Sequence, residues 1–154
     1  MNLKGFTYVV VQMSILVLIT SHLIYLHHDS SLFNNLNFID YLGLMFIFAG
    51  VLFAIYSALF MGNLLTPFPH PKKKHQLIVN GPFSIVRHPI YFGLLLFSLG
   101  ALCVSKDRLI ALYCFTLFVT LYFKTRYEEE LLLDLYTDYI DYQKVVKRLI
   151  PFIF

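Results

Sequence analysis

The residues best suited to chemistry begin with the motif Arg87-His88-Pro89-Ile90-Tyr91, which stands where a polar segment meets an apolar run. Proline is favoured at the first position of a helix, so the motif predicts a helix that begins at Pro89. The free N–H groups of a first helical turn, together with the helix dipole, favour a carboxylate or another anion. Arg87 and His88 would also suit an interfacial role, with their charged ends among lipid headgroups.

A second motif, Arg126 followed by Glu128, Glu129 and Glu130, opens a stretch of mixed charged and aromatic residues. A carboxylate here could balance a bound cation, and an arginine can hold a carboxylate through two parallel hydrogen bonds. Arg126 and Glu130 are also spaced to pair along one helix face. The alternative is that the glutamates only complement the dipole of a nearby helix terminus.

Other polar and aromatic residues have plainer interpretations. Tyr136, Tyr139 and Tyr142 recur at helical spacing and are typical of an aromatic stripe at a membrane surface. No metal site is predicted, because the histidines near the first polar loop lack a carboxylate or cysteine partner at ligand spacing. These histidines are His22, His27 and His28.

The composition places both motifs in a membrane protein. The 154 residues are 58% apolar and only 14% charged, and the mean hydropathy is +0.70. The charged residues cluster in a few short segments, as expected where charge must stay out of hydrocarbon. The net charge of +3 therefore reports membrane orientation, and no nucleic-acid partner is expected.

We expect an all-α, polytopic membrane protein that forms a single domain over residues 1–154. About 20 apolar residues are enough to cross a bilayer, and the leucines and tyrosines after residue 124 have the spacing of an amphipathic interfacial helix. Within the second span, Gly43, Gly50 and Gly62 are expected to allow close helix approach. The predicted segments are four transmembrane helices at about 6–26, 38–65, 89–104 and 109–123, a cytoplasmic segment at 66–88, and a C-terminal helix at 124–148.

The basic residues predict the orientation of these segments. With four spans, all twelve Lys and Arg residues except Lys106 and Arg108 fall on one side of the membrane. Basic residues favour the cytoplasmic side, so both termini and both motifs are expected to face the cytoplasm. Lys72, Lys73 and Lys74 are expected to touch anionic membrane lipids there.

Further residues extend the two motifs into a longer pattern. The run from Leu77 to Phe83 precedes the first motif, and Tyr139, Tyr142, Val146, Arg148 and Pro151 follow the second. Over about residues 75–151 this pattern resembles the isoprenylcysteine carboxyl methyltransferase family, within a wider group that includes phospholipid methyltransferases. The Arg-His-Pro-x-Tyr element alone is less specific, since membrane sterol and steroid reductases show a similar one.

The resemblance implies that S-adenosylmethionine is the cofactor and lies at the cytoplasmic ends of the helices. Arg126 would hold the substrate, and His88 and Glu130 would act with it as catalytic residues. The cofactor contacts implied for this chain are His75, Gln76, Leu77, Ile78, Phe83, His88, Pro89, Ile90 and Tyr91, with Glu129 and Glu130 of the glutamate cluster.

The chain departs from the family pattern at two points. Phe83 stands where tyrosine is common, and the glutamates lie a few residues closer to Tyr139 than is usual. Counting from Arg126 selects Glu130 as the cofactor glutamate, whereas counting back from the tyrosines selects Glu128. The choice among the three glutamates therefore stays open.

The implied function is methyl transfer at the cytoplasmic membrane face to a lipophilic small molecule or lipid, such as an isoprenylcysteine carboxylate. A carboxylate nucleophile needs no general base at neutral pH, whereas an amine must first lose a proton. The residues offer no obvious base, which favours a carboxylate or thiolate acceptor. Two alternatives remain, a membrane-bound NADPH-dependent reductase of the sterol and steroid type and a non-enzymatic lipid-binding protein.

Overall fold

The computed structural model describes residues 3–29, 36–62 and 77–153, and all regular structure within these ranges is helical. This confirms the predicted all-α class. Five α-helices and one short 3₁₀ helix follow one another along the described ranges. They are α1 (Leu3–Asp29), α2 (Phe38–Met61), the 3₁₀ helix (Gly81–Ser84), α3 (Pro89–Ser105), α4 (Arg108–Leu135) and α5 (Tyr139–Val145).

Three of these helices, α1, α2 and α4, are long and apolar enough to cross a membrane. Helix α3 is also apolar but has only 17 residues. At 1.5 Å per residue its length is about 26 Å, which is a little less than the roughly 30 Å thickness of the hydrocarbon core. The chain is therefore a polytopic membrane protein, as predicted, with α3 as the short helix of the bundle.

Local sequence signals explain where the helices begin and end. Asn37 and Asp40 form a capping box at the start of α2, and the Asp107 carboxylate accepts hydrogen bonds from the first turn of α4. Pro89 is the first residue of α3, as the sequence predicted. Lys106 closes α3 with a φ of 53°, and this left-handed residue turns the chain directly into α4.

Helices α2 and α3 pack backbone against backbone through four glycines. A Cβ atom added to Gly50 would lie 2.5 Å from the carbonyl oxygen of Gly93, and one added to Gly43 would lie 2.9 Å from that of Gly100. Each value is below the closest approach that a side chain tolerates. The predicted close approach at Gly43 and Gly50 is therefore confirmed.

Gly62 does not take part in this packing, so that part of the prediction was wrong. A Cβ atom at Gly62 would meet no heavy atom within 4 Å among the described residues. Gly62 instead follows the last residue of α2 with a φ of 54°. Glycine adopts such a positive φ without the steric cost that a Cβ atom would add, which suits it to the end of a helix.

The remaining helices share a hydrophobic core. Helix α1 lies against α4, and α3 packs between α4 and α2. The core residues come from α1, α3 and α4, whereas most apolar side chains of α2 face outward as lipid-facing residues do. The buried core residues are Ile15, Ile19, Ala101, Ile110, Leu117 and Leu121.

The predicted boundary between a span ending at residue 123 and a separate helix at 124–148 was wrong. Helix α4 continues through Lys124 to Leu135, and only Tyr139–Val145 forms a further helix. Lys124 does not mark the exit from the bundle, because its side chain is buried and its ammonium donates to Gln12 Oε1 at 2.7 Å. Helix α2 ends at Met61 rather than near residue 65, and residues 63–76 lie outside the described residues.

After α5 the chain returns to the start of α3. The Arg87 N–H donates to the Lys147 carbonyl at 2.8 Å, and the His88 N–H donates to the Arg148 carbonyl at 3.1 Å. This pairing places the C-terminal segment beside the first motif. It also brings Arg148 to the same end of the bundle as the glutamates of α4.

Candidate active site

Glu129 lies at the centre of a buried ion network. Its Oε1 accepts from Arg87 Nε at 2.7 Å, and its Oε2 accepts from Arg148 Nε at 2.8 Å and from Arg148 Nη2 at 2.7 Å. Gln143 Nε2 donates to the same Oε2 at 3.3 Å. The Glu129 side chain is only 3% exposed, so its carboxylate is fully engaged within the protein.

Arg87 ties this network to the C-terminal segment. Besides Glu129, its guanidinium donates to the carbonyl oxygens of Gln143 and Val146. The planar guanidinium thus joins α4, the end of α5 and the start of α3. Arg87 is therefore a structural partner of Glu129 and does not extend toward lipid headgroups.

His88 stands between two glutamates of α4. Its Nε2 lies 3.3 Å from Glu129 Oε1, and its Nδ1 lies 3.5 Å from Glu128 Oε2. The ring also stacks on Tyr91, with centroids 5.6 Å apart and an angle of 8° between the planes. The imidazole therefore contacts both carboxylates, one through each ring nitrogen.

Tyr91 and Glu128 form the outer part of the site. The Tyr91 hydroxyl donates to Glu128 Oε1 at 2.7 Å. The Glu128 side chain is 12% exposed, compared with 3% for Glu129. Glu128 is thus the glutamate of the cluster that both joins the site and reaches its surface.

Tyr139 and Tyr142 pack inside the protein rather than forming a stripe at the membrane surface, so that interpretation was wrong for these two residues. Tyr139 is buried, and the Tyr142 hydroxyl donates to the Phe83 carbonyl. Burial raises the pKa of both hydroxyls, and the nearby Glu129 charge adds to the rise at Tyr139. Both side chains therefore stay neutral across the physiological range.

Arg126 and Glu130 lie apart from this network. Both side chains are exposed and line a cleft of about 540 Å³ between α1 and α4, together with Lys4, Tyr8 and Tyr127. Arg126 and Glu130, which are both described by the structure, do not form the ion pair that their spacing along the helix predicted. The Arg126 guanidinium instead contacts Tyr122, with the guanidinium carbon Cζ 5.9 Å from the centroid of the Tyr122 ring.

The division follows from helix geometry. Successive residues of a helix are rotated by about 100°, so three consecutive glutamates cannot share one face. Glu128 and Glu129 turn toward His88, and Glu130 turns toward the cleft with Arg126. The structure thus brings together His88, Tyr91, Glu128 and Glu129, and it places Arg126 and Glu130 in a separate cleft.

Comparison of the sequence with models of protein families shows which family this chain belongs to. A family model described as phospholipid methyltransferase matches residues 38–139, which run from α2 to the first residue of α5. The chain belongs to the phospholipid methyltransferase family. The match includes both motifs but leaves α1 outside.

Two curated relatives point to the same wider group. Each is named "Probable protein-S-isoprenylcysteine O-methyltransferase", one from Oryza sativa subsp. indica and one from Oryza sativa subsp. japonica. Each is 29% identical to this chain over 121 residues, covering 75% of this chain and 63% of the relative. The chain therefore spans less than two thirds of the length of these relatives.

The residues expected to contact a cofactor come from the segment before the 3₁₀ helix, from the 3₁₀ helix itself, from the start of α3 and from the glutamate cluster of α4. His75 and Gln76 lie outside the described residues, whereas Leu77 and Ile78 are half-buried in the segment before the 3₁₀ helix. Phe83 is buried in the 3₁₀ helix, with its ring centroid 6.5 Å from that of Phe60. Buried Pro89 and half-buried Ile90 form the first turn of α3, beside His88 and Tyr91.

Four residues of this region were missed as site residues by the sequence analysis. Gln12 and Lys124 contact each other behind Tyr91, and Gln143 and Arg148 bind Glu129. Arg148 belonged to the recognised pattern but had no assigned role. Gln12 had one available signal, since it is the one amide side chain in helix α1.

Proposed function

We propose that this protein is an S-adenosylmethionine-dependent methyltransferase that acts on a lipophilic acceptor at the cytoplasmic face of the membrane. The observation that carries the proposal is the cluster of Glu128, His88 and Tyr91 at the end of a membrane helix bundle, in a chain of this family. A carboxylate beside an aromatic ring suits a ligand that carries a sulfonium and an ammonium group, because both groups are cations. The carboxylate and the aromatic ring are therefore chemically suited to the proposed cofactor.

Each proposed role follows from the position of the side chain. Glu128 would receive the cationic part of the cofactor, because its carboxylate is the one that reaches the surface of the network. His88 and Tyr91 would hold Glu128 in place through their contacts with its two oxygens. Glu129 would hold Arg87 and Arg148, so its role would be to keep α3, α4 and the C-terminal segment together.

The remaining residues of the pocket are proposed with the family pattern as support. Leu77, Ile78 and Phe83 would form its apolar wall near Pro89 and Ile90, and His75 and Gln76 are proposed as further contacts from the family pattern alone. When bound, S-adenosylmethionine supplies an electrophilic methyl group that is transferred by in-line displacement, a reaction that depends mainly on alignment of the two reactants. The protein would therefore accelerate methyl transfer mostly by holding the cofactor and the acceptor in the correct relative position.

The acceptor is proposed to carry a carboxylate of the isoprenylcysteine type. Such a nucleophile is already anionic at neutral pH and needs no general base. Arg126, whose exposed guanidinium lines the cleft between α1 and α4, would attract that carboxylate as it approaches and guide it toward the neighbouring cofactor site. A long apolar chain on the acceptor would then lie against the lipid-facing surface of the helices.

The cytoplasmic orientation rests on the basic residues. Arg87, Lys144, Lys147 and Arg148 all belong to the end of the bundle that carries the network, and basic residues favour the cytoplasmic side. We expect a cysteine introduced at exposed Lys144, with Cys103 and Cys114 replaced by serine, to react with an impermeant maleimide in inverted vesicles and not in right-side-out vesicles. The opposite labelling pattern would refute this orientation.

Calorimetric titration with S-adenosylhomocysteine tests the cofactor site. The detergent-purified protein should bind it saturably, and Glu128→Gln should weaken binding by about tenfold or more, since it removes the proposed anionic partner. Glu130→Gln is the matched control on the adjacent face and should leave the affinity unchanged. No binding by the folded wild-type protein, with NADPH titrated in parallel, would refute the methyltransferase proposal.

A transfer assay tests the acceptor separately. Methyl transfer from S-adenosylmethionine should be detected to N-acetyl-S-farnesylcysteine and not to the corresponding methyl ester. Phosphatidylethanolamine vesicles serve as the comparison substrate with an amine acceptor. Methylation of the vesicles alone would retain the cofactor proposal and overturn the carboxylate acceptor.

A further inference from the structure

Lys124 is a charged residue for which the proposed reaction has no direct use. It lies within helix α4, and only 2% of its surface is exposed. Its ammonium donates to Gln12 Oε1 at 2.7 Å and lies 4.8 Å from the centroid of the Tyr91 ring. Burial of an ammonium group is costly unless it is compensated, and here these two contacts and the nearby negative charge of Glu128 compensate it.

The contact with Tyr91 connects Lys124 to the proposed cofactor site. A cation over the face of an aromatic ring is attracted by the ring electrons, and it also draws electron density away from the hydroxyl. The Tyr91 hydroxyl donates to Glu128 at 2.7 Å. A hydroxyl made more electron-poor donates a stronger hydrogen bond, so Lys124 would fix both the ring and the carboxylate that the ring holds.

The contact with Gln12 extends this connection to α1. Gln12 is 8% exposed and belongs to the helix that lies outside the family match. Its amide carbonyl accepts the hydrogen bond from the Lys124 ammonium. The polar chain therefore runs from α1 through Gln12, Lys124, Tyr91 and Glu128, and it crosses three helices.

We propose that Lys124 and Gln12 are positioning residues for the cofactor site, through which α1 holds Tyr91 and Glu128 in their binding arrangement. This inference rests on the proposed function, because it assigns the two residues a role in holding the same ligand. It also assigns α1 a part in the site in addition to crossing the membrane. Neither residue needs to touch the ligand.

The double variant Lys124→Met/Gln12→Leu tests the inference through two measurements, stability and ligand affinity, which are expected to respond differently. It replaces a buried polar pair with apolar side chains of similar size, which is often neutral or stabilising. The thermal midpoint in detergent should therefore stay at the wild-type value or rise. The dissociation constant for S-adenosylhomocysteine should nevertheless increase roughly tenfold, because Tyr91 loses the cation on its ring.

Two further variants separate positioning from a general effect on the fold. Lys124→Arg keeps a cation near Tyr91 and should retain most of the affinity. Lys144→Met removes an exposed lysine of α5 and should leave both readouts unchanged. Wild-type affinity in a double variant that is shown to be folded would overturn the inference, as would equal losses in Lys124→Arg and the double variant.

The outcomes also distinguish this inference from the proposed function. Absence of binding by the wild-type protein would overturn the methyltransferase proposal and this inference with it. Binding by the wild-type protein that is unaffected in the double variant would overturn the inference alone. Weaker binding together with an unchanged or higher thermal midpoint supports both.

Discussion

Two neighbouring glutamates allow a matched comparison of a buried and an exposed carboxylate. Glu129 compensates Arg87 and Arg148 within the protein, whereas Glu130 faces an open cleft. Glu129→Gln keeps the shape of the side chain but removes the carboxylate charge that the two guanidinium groups share. We expect a loss of about 3–5 kcal/mol in the free energy of unfolding, measured by denaturant titration in detergent micelles.

Glu130→Gln is the control for this measurement. A surface substitution without specific partners is expected to change stability by no more than about 0.5 kcal/mol. Equal stability of the two variants would contradict the view that Glu129 holds the site together. A Glu129→Gln protein that is stable but does not bind S-adenosylhomocysteine would instead give Glu129 a direct role in ligand binding.

The sequence motifs identified most residues of the site but not the residues that contact them. His88, Tyr91 and Glu129 were among the predicted contacts, because the two motifs are short and local. The choice among three consecutive glutamates depends on the rotation of α4 relative to α3, which no spacing within the chain reveals. Gln12 and Lys124 were missed for the same reason, since 112 positions separate them along the chain.

At the scale of elements, the glycine contact between α2 and α3 gives a direct prediction. Gly50→Ala would place a Cβ atom 2.5 Å from the Gly93 carbonyl oxygen, so the two helices would have to separate. Overpacking of this kind costs typically about 1–3 kcal/mol. We expect the thermal midpoint of the variant in detergent to fall accordingly.

Val51→Leu is a suitable control, because Val51 is exposed on the same helix and next to Gly50 in sequence. The added volume there would face lipid and should leave the thermal midpoint unchanged. A Gly50→Ala variant as stable as the wild-type protein would mean that α2 and α3 are not held at this distance. The same reasoning applies to Gly43 and Gly100 further along the pair.

The helices were largely predictable and their ends were not. Long apolar runs define α1, α2 and α4, and Pro89 marks the start of α3. The predicted break at Lys124 failed because a charged residue was assumed to lie outside the bundle. Gln12 gives this lysine a buried partner, and such a partner becomes visible only when α1 and α4 are packed together.

At the scale of the whole molecule, the buried tyrosines predict how stability changes in alkali. Burial raises the pKa of Tyr139 and Tyr142 above the ordinary value, whereas in an unfolded chain tyrosine ionises at about pH 10. The folded state therefore binds more protons than the unfolded state above that pH. The contribution of the two tyrosines to the free energy of unfolding is therefore complete below about pH 10 and is lost as the pH rises further.

Denaturant unfolding between about pH 8 and pH 11 checks this prediction. The free energy of unfolding of the wild-type protein should decline above about pH 10, and Tyr139→Phe should reduce the decline because phenylalanine does not titrate. Tyr41→Phe, at an exposed position of α2, is the control. A decline of the same size in Tyr139→Phe would assign the alkaline loss to other groups.

The ion network around Glu129 also has a consequence for how the family can change its sequence. Arg87, Glu129 and Arg148 come from three separate parts of the chain, yet each neutralises charge that the others leave buried. Substitution of Glu129 removes the carboxylate that both guanidinium groups share, whereas loss of one arginine leaves Glu129 paired with the other, so an exchange that began at Glu129 would be the most harmful. Related chains should therefore keep or replace these positions as a set, and their covariation would be a record of this shared carboxylate.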